Sequence, residues 1–104
     1  MIIGPVIKQR RKLYGGADYH RGIIAKYGPK LRTNAQRGFL TDTGEFLSRT
    51  GGAAYVVMTG QKLDSSYPSL EKCGFKLHSC AIRAEDRDLE KVMAFVEEYN
   101  KEGN

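Results

Sequence analysis

The sequence predicts an α+β fold, a small antiparallel sheet with two or three helices, of which the last is a C-terminal amphipathic helix. Three observations favour this fold. The chain opens with a run of strand-forming residues from Ile2 to Gln9. Apolar residues lie on both sides of the tight turn Asp42-Thr43-Gly44, as in a hairpin. Near the end, apolar residues recur at the three- and four-residue spacing of an amphipathic helix.

Length and composition are those of one folded unit. The 104 residues are 40% hydrophobic and 28% charged, which favours a single α+β domain over residues 1–104 and leads us to expect self-association. No apolar run approaches the roughly 20 residues that span a bilayer. Basic residues follow the first apolar stretch instead of preceding it, the reverse of a secretory signal. We therefore expect a cytoplasmic protein without a membrane partner.

Turn-forming residues divide the first half of the chain. The predicted segments are a strand over 2–9, its hairpin partner over 12–16, a helix over 19–26 and a loop over 29–36. The basic turn Gln9-Arg10-Arg11 joins the two strands. Asp18 is expected to cap the helix, because a carboxylate there can accept from a free backbone N–H. Gly28-Pro29 ends the helix.

The second half contains the clearest helix signals. The predicted segments are a hairpin over 37–47, a helix over 50–59, a loop over 62–69, a strand over 73–83 and a last helix beginning after Asp86. Ser48 and Gly60 are expected to cap the helix over 50–59, and Asp86 the last one. The inner face of the last helix carries Leu89, Val92, Met93, Val96 and Tyr99.

The sequence offers little for catalysis or metal binding. Cys73 and Cys80 are too few for a disulfide framework, and we expect two buried free thiols. With His78 they have no spacing typical of a zinc site. His20 lacks a neighbouring nucleophile or orienting acid, so we expect it to pack internally or to contact a ligand. We therefore expect a protein that is not an enzyme and has no cofactor or metal.

Charge is distributed unevenly along the chain. Residues 1–50 contain ten basic and three acidic residues, a net charge of +7, whereas the remainder contains seven basic and nine acidic residues. This asymmetry predicts an anionic partner for the first half. The alternative is a solvated basic surface balanced by the acidic C-terminal helix.

Two features could bind such a partner. Ser48-Arg49-Thr50-Gly51-Gly52 opens a predicted helix, where free N–H groups and Arg49 could hold a phosphate; the alternative is an ordinary helix start. Aromatic residues are also interleaved with arginines. A nucleobase could stack on Phe39 while Arg37 and Arg49 hold phosphates. The alternative is that Phe39 belongs to the core.

The segment from Gln36 to Gln61 carries a recognisable motif. It reads Gln-Arg-Gly-Phe-Leu-Thr-Asp-Thr-Gly-Glu-Phe-Leu-Ser-Arg-Thr-Gly-Gly and closes on Gly60-Gln61. It resembles a family of small phage-encoded proteins with the motif Gln-Gly-Phe-[Leu/Val]-Thr-x-x-Gly-x-Phe-[Val/Leu]-x-Arg-x-Glu-Ala, ending on Gly-Gln. Upstream, Lys12-Leu13-Tyr14 and the segment from His20 to Ile24 are similar to that family's Lys-Ile-Tyr strand and His-x-x-Ile-Ile helix. The chain departs from the motif at Arg37 and at Gly51-Gly52.

The family resembles the phage anti-Thoeris sponge proteins, which sequester cyclic ADP-ribose signals in oligomeric assemblies. The resemblance implies a phage anti-defence protein, acting in the cytoplasm of the infected bacterial host, that binds such a nucleotide without cleaving it. It implies a ring that stacks on adenine and arginines that hold the pyrophosphate. The implied ligand-binding residues are Phe39, Arg49, His20 and Arg37. The alternative is a small basic phage protein that binds nucleic acid or a host protein through Arg10-Arg11-Lys12.

Overall fold

A computed structural model describes residues 1–102, which form a four-stranded antiparallel sheet and three α-helices. The strands are β1 (Ile2–Gln9), β2 (Lys12–Tyr14), β3 (Ala35–Thr41) and β4 (Phe46–Ser48). The helices are α1 (His20–Tyr27), α2 (Arg49–Thr59) and α3 (Leu89–Glu102). The strand order is β2-β1-β3-β4. The predicted α+β class, with a last helix at the C-terminal end, is confirmed.

Two tight hairpins set the register of the sheet. Gln9 pairs with Lys12, so only Arg10 and Arg11 connect β1 to β2. Phe39 lies opposite Pro5 between the two central strands, and directly opposed residues share a face of a sheet. β2 ends two residues earlier than predicted. β3 begins at Ala35, inside the segment predicted to be a loop, which also contains a 3₁₀ turn over Pro29–Arg32.

The caps of α2 and the end of α1 at Gly28 are confirmed, whereas the N-caps predicted for α1 and α3 are wrong. Ser48 Oγ accepts from Gly51 N at 2.9 Å, and Gly60 ends α2 with φ 74°. No side chain caps α1, because Asp18 lies one residue too early. The side chain of Asp88, instead of Asp86, accepts from Lys91 N at 3.0 Å at the start of α3.

Helices cover both faces of the sheet. On one face, α1 contributes Ile23 and Ile24 beside Ile7 of β1. On the same face, Ala53 and Val56 of α2 pack with Phe39. The opposite face is covered by α3, where Val92 and Val96 pack against Val6 and Leu40, and Met93 and Tyr99 are partly buried. The apolar stripe predicted for the last helix therefore faces the sheet.

The strand predicted over 73–83 is wrong. Gly74 and Phe75 have φ 65° and 56°, which reverses the chain, and 3₁₀ turns form at Glu71–Cys73 and Ser79–Ala81. The segment contributes Leu77 to the core as an irregular chain. Cys73 is half-buried and Cys80 is exposed, so the expectation of two buried thiols is also wrong.

The outer side of β2 is covered by one side chain of α3. Asn100 Oδ1 accepts from Leu13 N at 2.8 Å, and Asn100 Nδ2 donates to Leu13 O at 3.0 Å. The amide therefore bonds to β2 in the way that a neighbouring strand would. Within residues 1–102, no helix is both long enough and apolar enough to cross a membrane.

Candidate functional site

A cleft with several arginines lies between the start of α1, the exposed end of β3 and the start of α2. Its volume is about 180 Å³. We call it the arginine cleft; its lining residues are Tyr19, His20, Arg21, Arg37, Arg49, His78, Ser79 and Cys80. An adjoining depression of about 370 Å³ shares Arg37 and Arg49 with it and also contains Ser48, Thr50 and Lys76. The two arginines therefore stand between two recesses.

Arg49 is held in place by the chain that follows residue 76. Its Nε donates to Leu77 O at 3.1 Å, and Leu77 N donates back to Arg49 O at 2.9 Å. Arg49 Nη2 lies 3.0 Å from Nδ1 and 3.1 Å from Nε2 of His78, so the unprotonated ring nitrogen can accept from it. Among residues 1–102, Arg49 Nη1 has no bonded partner, and its two N–H groups remain available to an anion.

Positive charge in the cleft is not neutralised by carboxylates. No acidic residue lines the cleft or the adjoining depression, as far as residues 1–102 are concerned. Arg37 is exposed and, within the same range, forms neither an ion pair nor a side-chain hydrogen bond. Unpaired guanidinium groups in a concave surface are the groups that bind phosphate or carboxylate most strongly.

His20 lies beneath the cleft, with 4% of its surface exposed. Its Nε2–H donates to Gly38 O at 2.8 Å, and its ring contacts that of Phe39 edge-to-face, with 5.3 Å between centres. Burial, together with the positive charges of Arg37 and Arg49, lowers the pKa of His20 to about 4. His20 is therefore a neutral residue that shapes the floor of the cleft.

The structure corrects the role expected of Phe39. Its side chain has no exposed surface, because its partner Pro5 in β1 and the residues of α2 cover the ring. A base cannot stack on a ring that solvent does not reach. The exposed ring beside the cleft is that of Tyr19, which is 38% exposed. Its centre lies 5.2 Å from Cζ of Arg21 and 4.9 Å from Cζ of Arg87.

Three of the four residues named from the sequence therefore meet at one site: Arg37 and Arg49 line it, and His20 forms its floor. Sequence reasoning missed His78, whose pKa is lowered by burial and by Arg49 and Arg37. It also missed Arg87, which donates to the carbonyl oxygens of Ser79 and Ile82 at 2.8 Å each, and to that of Asp18. No motif marks either residue: His78 contacts Arg49 across 29 residues, and Arg87 bonds to backbone carbonyl oxygens, which no pattern of side chains reveals.

The rival basic surface shares no lining residue with the cleft. Arg10, Arg11 and Lys12 border a depression of about 820 Å³ at the β1–β2 turn. The part of the chain described here contains no cluster of three or more His, Cys, Asp or Glu side chains that could hold a metal ion. No family model matches the sequence, and no curated protein or solved structure matches it.

Proposed function

We propose that this protein binds a small anionic nucleotide in the arginine cleft and holds it without cleaving it. The observation that carries the proposal is that Arg37 of β3 and Arg49 of α2 meet at one concave surface without a neighbouring carboxylate among residues 1–102. The cleft itself measures about 180 Å³, and the depression of about 370 Å³ that shares its two arginines lies within the roughly 300–1,000 Å³ of sites that bind small molecules, so the nucleotide would extend across both.

The geometry suggests a role for each part of the cleft. Arg37 and Nη1 of Arg49 would donate charge-assisted hydrogen bonds to phosphate oxygens. A base would lie against the planar guanidinium of Arg21, which the ring of Tyr19 supports from the other side. Because His78 holds Arg49 before any ligand arrives, less side-chain freedom is lost on binding.

The proposal of binding without cleavage is supported by the state of the two imidazoles. His20 is buried with its Nε2–H donated to Gly38, and His78 is engaged with Arg49. Ser79 and Cys80 line the same cleft, but among residues 1–102 no hydrogen bond joins either imidazole ring to a hydroxyl or thiol, as activation by a general base would require. The biological effect would then come from slow release, which keeps the nucleotide from its receptor.

The resemblance of residues 36–61 suggests the ligand class, a cyclic nucleotide signal of the cyclic ADP-ribose type. On this proposal the protein is a phage anti-defence protein that sequesters an immune signal in the infected host, as an oligomer. One glycine of the shared motif has a structural reason. A Cβ on Gly38 would clash with the backbone oxygen of Leu47, so the close pairing of β3 with β4 beside the cleft requires glycine at this position.

Calorimetric titration with cyclic ADP-ribose isomers tests the proposal. The wild type is expected to bind one isomer, and Arg37→Ala to weaken binding at least about tenfold, since an exposed arginine that bonds a phosphate contributes about 1.4 kcal/mol or more. Arg32→Ala, which removes an exposed arginine outside the cleft, is the matched control. Heat-denatured complex should release the nucleotide intact by mass spectrometry.

Two outcomes contradict the proposal. Absence of heat with every isomer, together with no nucleotide released from purified protein, would exclude nucleotide sequestration. Recovery of a cleaved product instead of the intact ligand would show that the protein is a hydrolase.

A further inference from the structure

The turn between β1 and β2 concentrates positive charge at the end of the sheet opposite the hairpin of β3 and β4. Arg10, Arg11 and Lys12 face Lys30 of the 3₁₀ turn across a depression of about 820 Å³. We call this depression the hairpin basin. Within residues 1–102, no acidic side chain lines it, and none of the four cations forms an ion pair. The positive charge of these four side chains is therefore left for an anion from outside the described chain to neutralise.

The shape of the hairpin basin is maintained by hydrogen bonds that leave its ammonium and guanidinium groups free of these contacts. Gln9 Nε2 donates to Lys30 O at 2.7 Å and to Thr33 O at 2.9 Å, which ties the two walls together. Tyr14 forms part of the lining, and its ring contacts that of Tyr27 edge-to-face at 5.0 Å. The basin is therefore formed before any ligand arrives.

Arg10 occupies a backbone conformation that favours glycine. Its φ is 57°, in the first position of a two-residue hairpin turn. A residue with a Cβ is destabilised there, and glycine would connect the strands with less strain. Residues in this conformation often occur at binding sites, and the position of Arg10 in the turn directs attention to its side chain as a binding group.

The basic surface at the hairpin extends beyond the space that one phosphate group would occupy. The hairpin basin shares Arg10 and Asn34 with a neighbouring depression of about 390 Å³ that contains Lys8 and Gln36. A single phosphate would contact one end of this trough. An extended anion with regularly spaced charges could contact Lys30, the hairpin cations and the neighbouring depression together.

We propose that the hairpin basin binds the sugar-phosphate backbone of a single-stranded nucleic acid. Arg10, Arg11, Lys12 and Lys30 would contact successive phosphates, and Tyr14 would lie against a sugar or base. A single strand can bend into a recess between a hairpin and a 3₁₀ turn, whereas a stiff duplex cannot. This site does not depend on nucleotide binding in the arginine cleft.

Fluorescence anisotropy of a labelled oligo-deoxythymidine, measured at several salt concentrations, tests the proposal. Four phosphate contacts predict a slope of about −3 in a plot of log K against log salt concentration, since each contact on a single strand contributes about −0.7. The double variant Arg10→Gly/Arg11→Ala should halve the slope and weaken binding at least tenfold. Because glycine relieves the φ of Arg10, the unfolding midpoint of the variant should not fall, and the loss cannot be attributed to unfolding.

The double variant Lys72→Ala/Lys101→Ala removes the same charge from exposed residues outside the basin and is the matched control. An equal loss of affinity in both variants would overturn the proposal, because net charge alone would then explain binding. Duplex DNA that binds as tightly as the single strand would also overturn it, as would absence of binding at about 50 mM salt. Arg37→Ala should leave the salt slope of oligonucleotide binding unchanged. The variant Arg10→Gly/Arg11→Ala should leave the heats of nucleotide titration unchanged. The two proposals can therefore fail independently of each other.

Discussion

At the scale of a single residue, His20 makes the stability of the protein depend on pH. In the unfolded chain its pKa is about 6.5, and in the folded protein burial lowers the pKa to about 4. Between these values the unfolded state binds a proton that the folded state excludes. Stability is therefore complete above pH 6.5 and falls as the pH is lowered to about 4. The maximal loss from this residue is about 3 kcal/mol.

His20→Gln is expected to remove most of this dependence. The glutamine amide nitrogen can take the place of Nε2 and donate to Gly38 O, but it does not titrate, so the free energy of unfolding should fall less between pH 6.5 and pH 4.5 than in the wild type. Urea unfolding at several pH values measures the difference. His78→Gln, at the less buried of the two histidines, is the control and should retain most of the pH-dependent loss of stability. An equal loss in the wild type and in His20→Gln would show that other groups cause the pH dependence.

At the scale of an element, the start of α2 contains two adjacent glycines with opposite requirements. Gly51 donates to Ser48 Oγ and is the third residue after the cap. A Cβ on Gly51 would lie 3.2 Å from that hydroxyl oxygen, which can move slightly by rotation of the partly exposed serine side chain. Gly52 is buried, and a Cβ there would lie 3.1 Å from Leu77 Cδ2 and 3.3 Å from Phe39 Cδ2. Where the resembling family has Glu-Ala, this chain therefore needs a glycine at the second position only.

Alanine substitutions separate the two positions. Gly51→Ala should stabilise the protein by about 0.5–1 kcal/mol, because alanine loses less conformational entropy than glycine in a helix. Gly52→Ala should destabilise it by about 1–3 kcal/mol, because the core has to move to admit the methyl group. Chemical denaturation of both variants gives the two values. If both variants were stabilised, the contact of Gly52 with Leu77 and Phe39 would not be limiting.

The elements that the sequence predicted well are those with local signals. Ser48 and Gly60 mark the start and the end of α2 through contacts with residues close in sequence. The turn Asp42-Thr43-Gly44 sets the hairpin of the two strands that flank it. The alternation from residue 73 to 83 was misleading, because burial of Leu77 reflects packing against α2 and no strand lies beside the segment along its length. Asp86 failed as a cap because Asp88 occupies the position before α3.

The same distinction applies to the candidate site. Arg37 and Arg49 were identifiable from charge and motif position, but their meeting depends on the pairing of β3 with β4 and on the start of α2. The burial of Phe39 follows from its register opposite Pro5, which no local pattern encodes. His78 contacts Arg49 across 29 residues, so sequence alone gave no reason to pair them.

At the scale of the whole molecule, positive charge in the first half of the chain is left unpaired. Ten basic side chains lie in residues 1–50, and none forms an ion pair with any acidic side chain among residues 1–102. Several of them line the arginine cleft and the hairpin basin. Repulsion among these cations opposes folding at low ionic strength, so anions should stabilise the folded state.

Millimolar pyrophosphate is expected to raise the unfolding temperature more than sodium chloride at the same ionic strength. Screening acts equally in the two solutions, whereas binding to the folded state adds about 1.4 kcal/mol when the anion is tenfold above its dissociation constant. Thermal unfolding followed by circular dichroism provides the measurement. The Arg37→Ala and Arg10→Gly/Arg11→Ala variants should each lose part of the difference. An identical shift in both salts would mean that the cations form no anion site.

The side-chain amide of Asn100 affects how copies of this protein could join. By bonding to both backbone groups of Leu13, it leaves the outer side of β2 without a free ladder position at that residue. Across the sheet, among residues 1–102 no strand lies beyond β4. Exposed strand edges are the places where sheets extend from one molecule into another. We therefore expect any pairing of two copies through their sheets to use β4 and not β2, and two β4 strands paired with each other would form a closed dimer instead of a fibre.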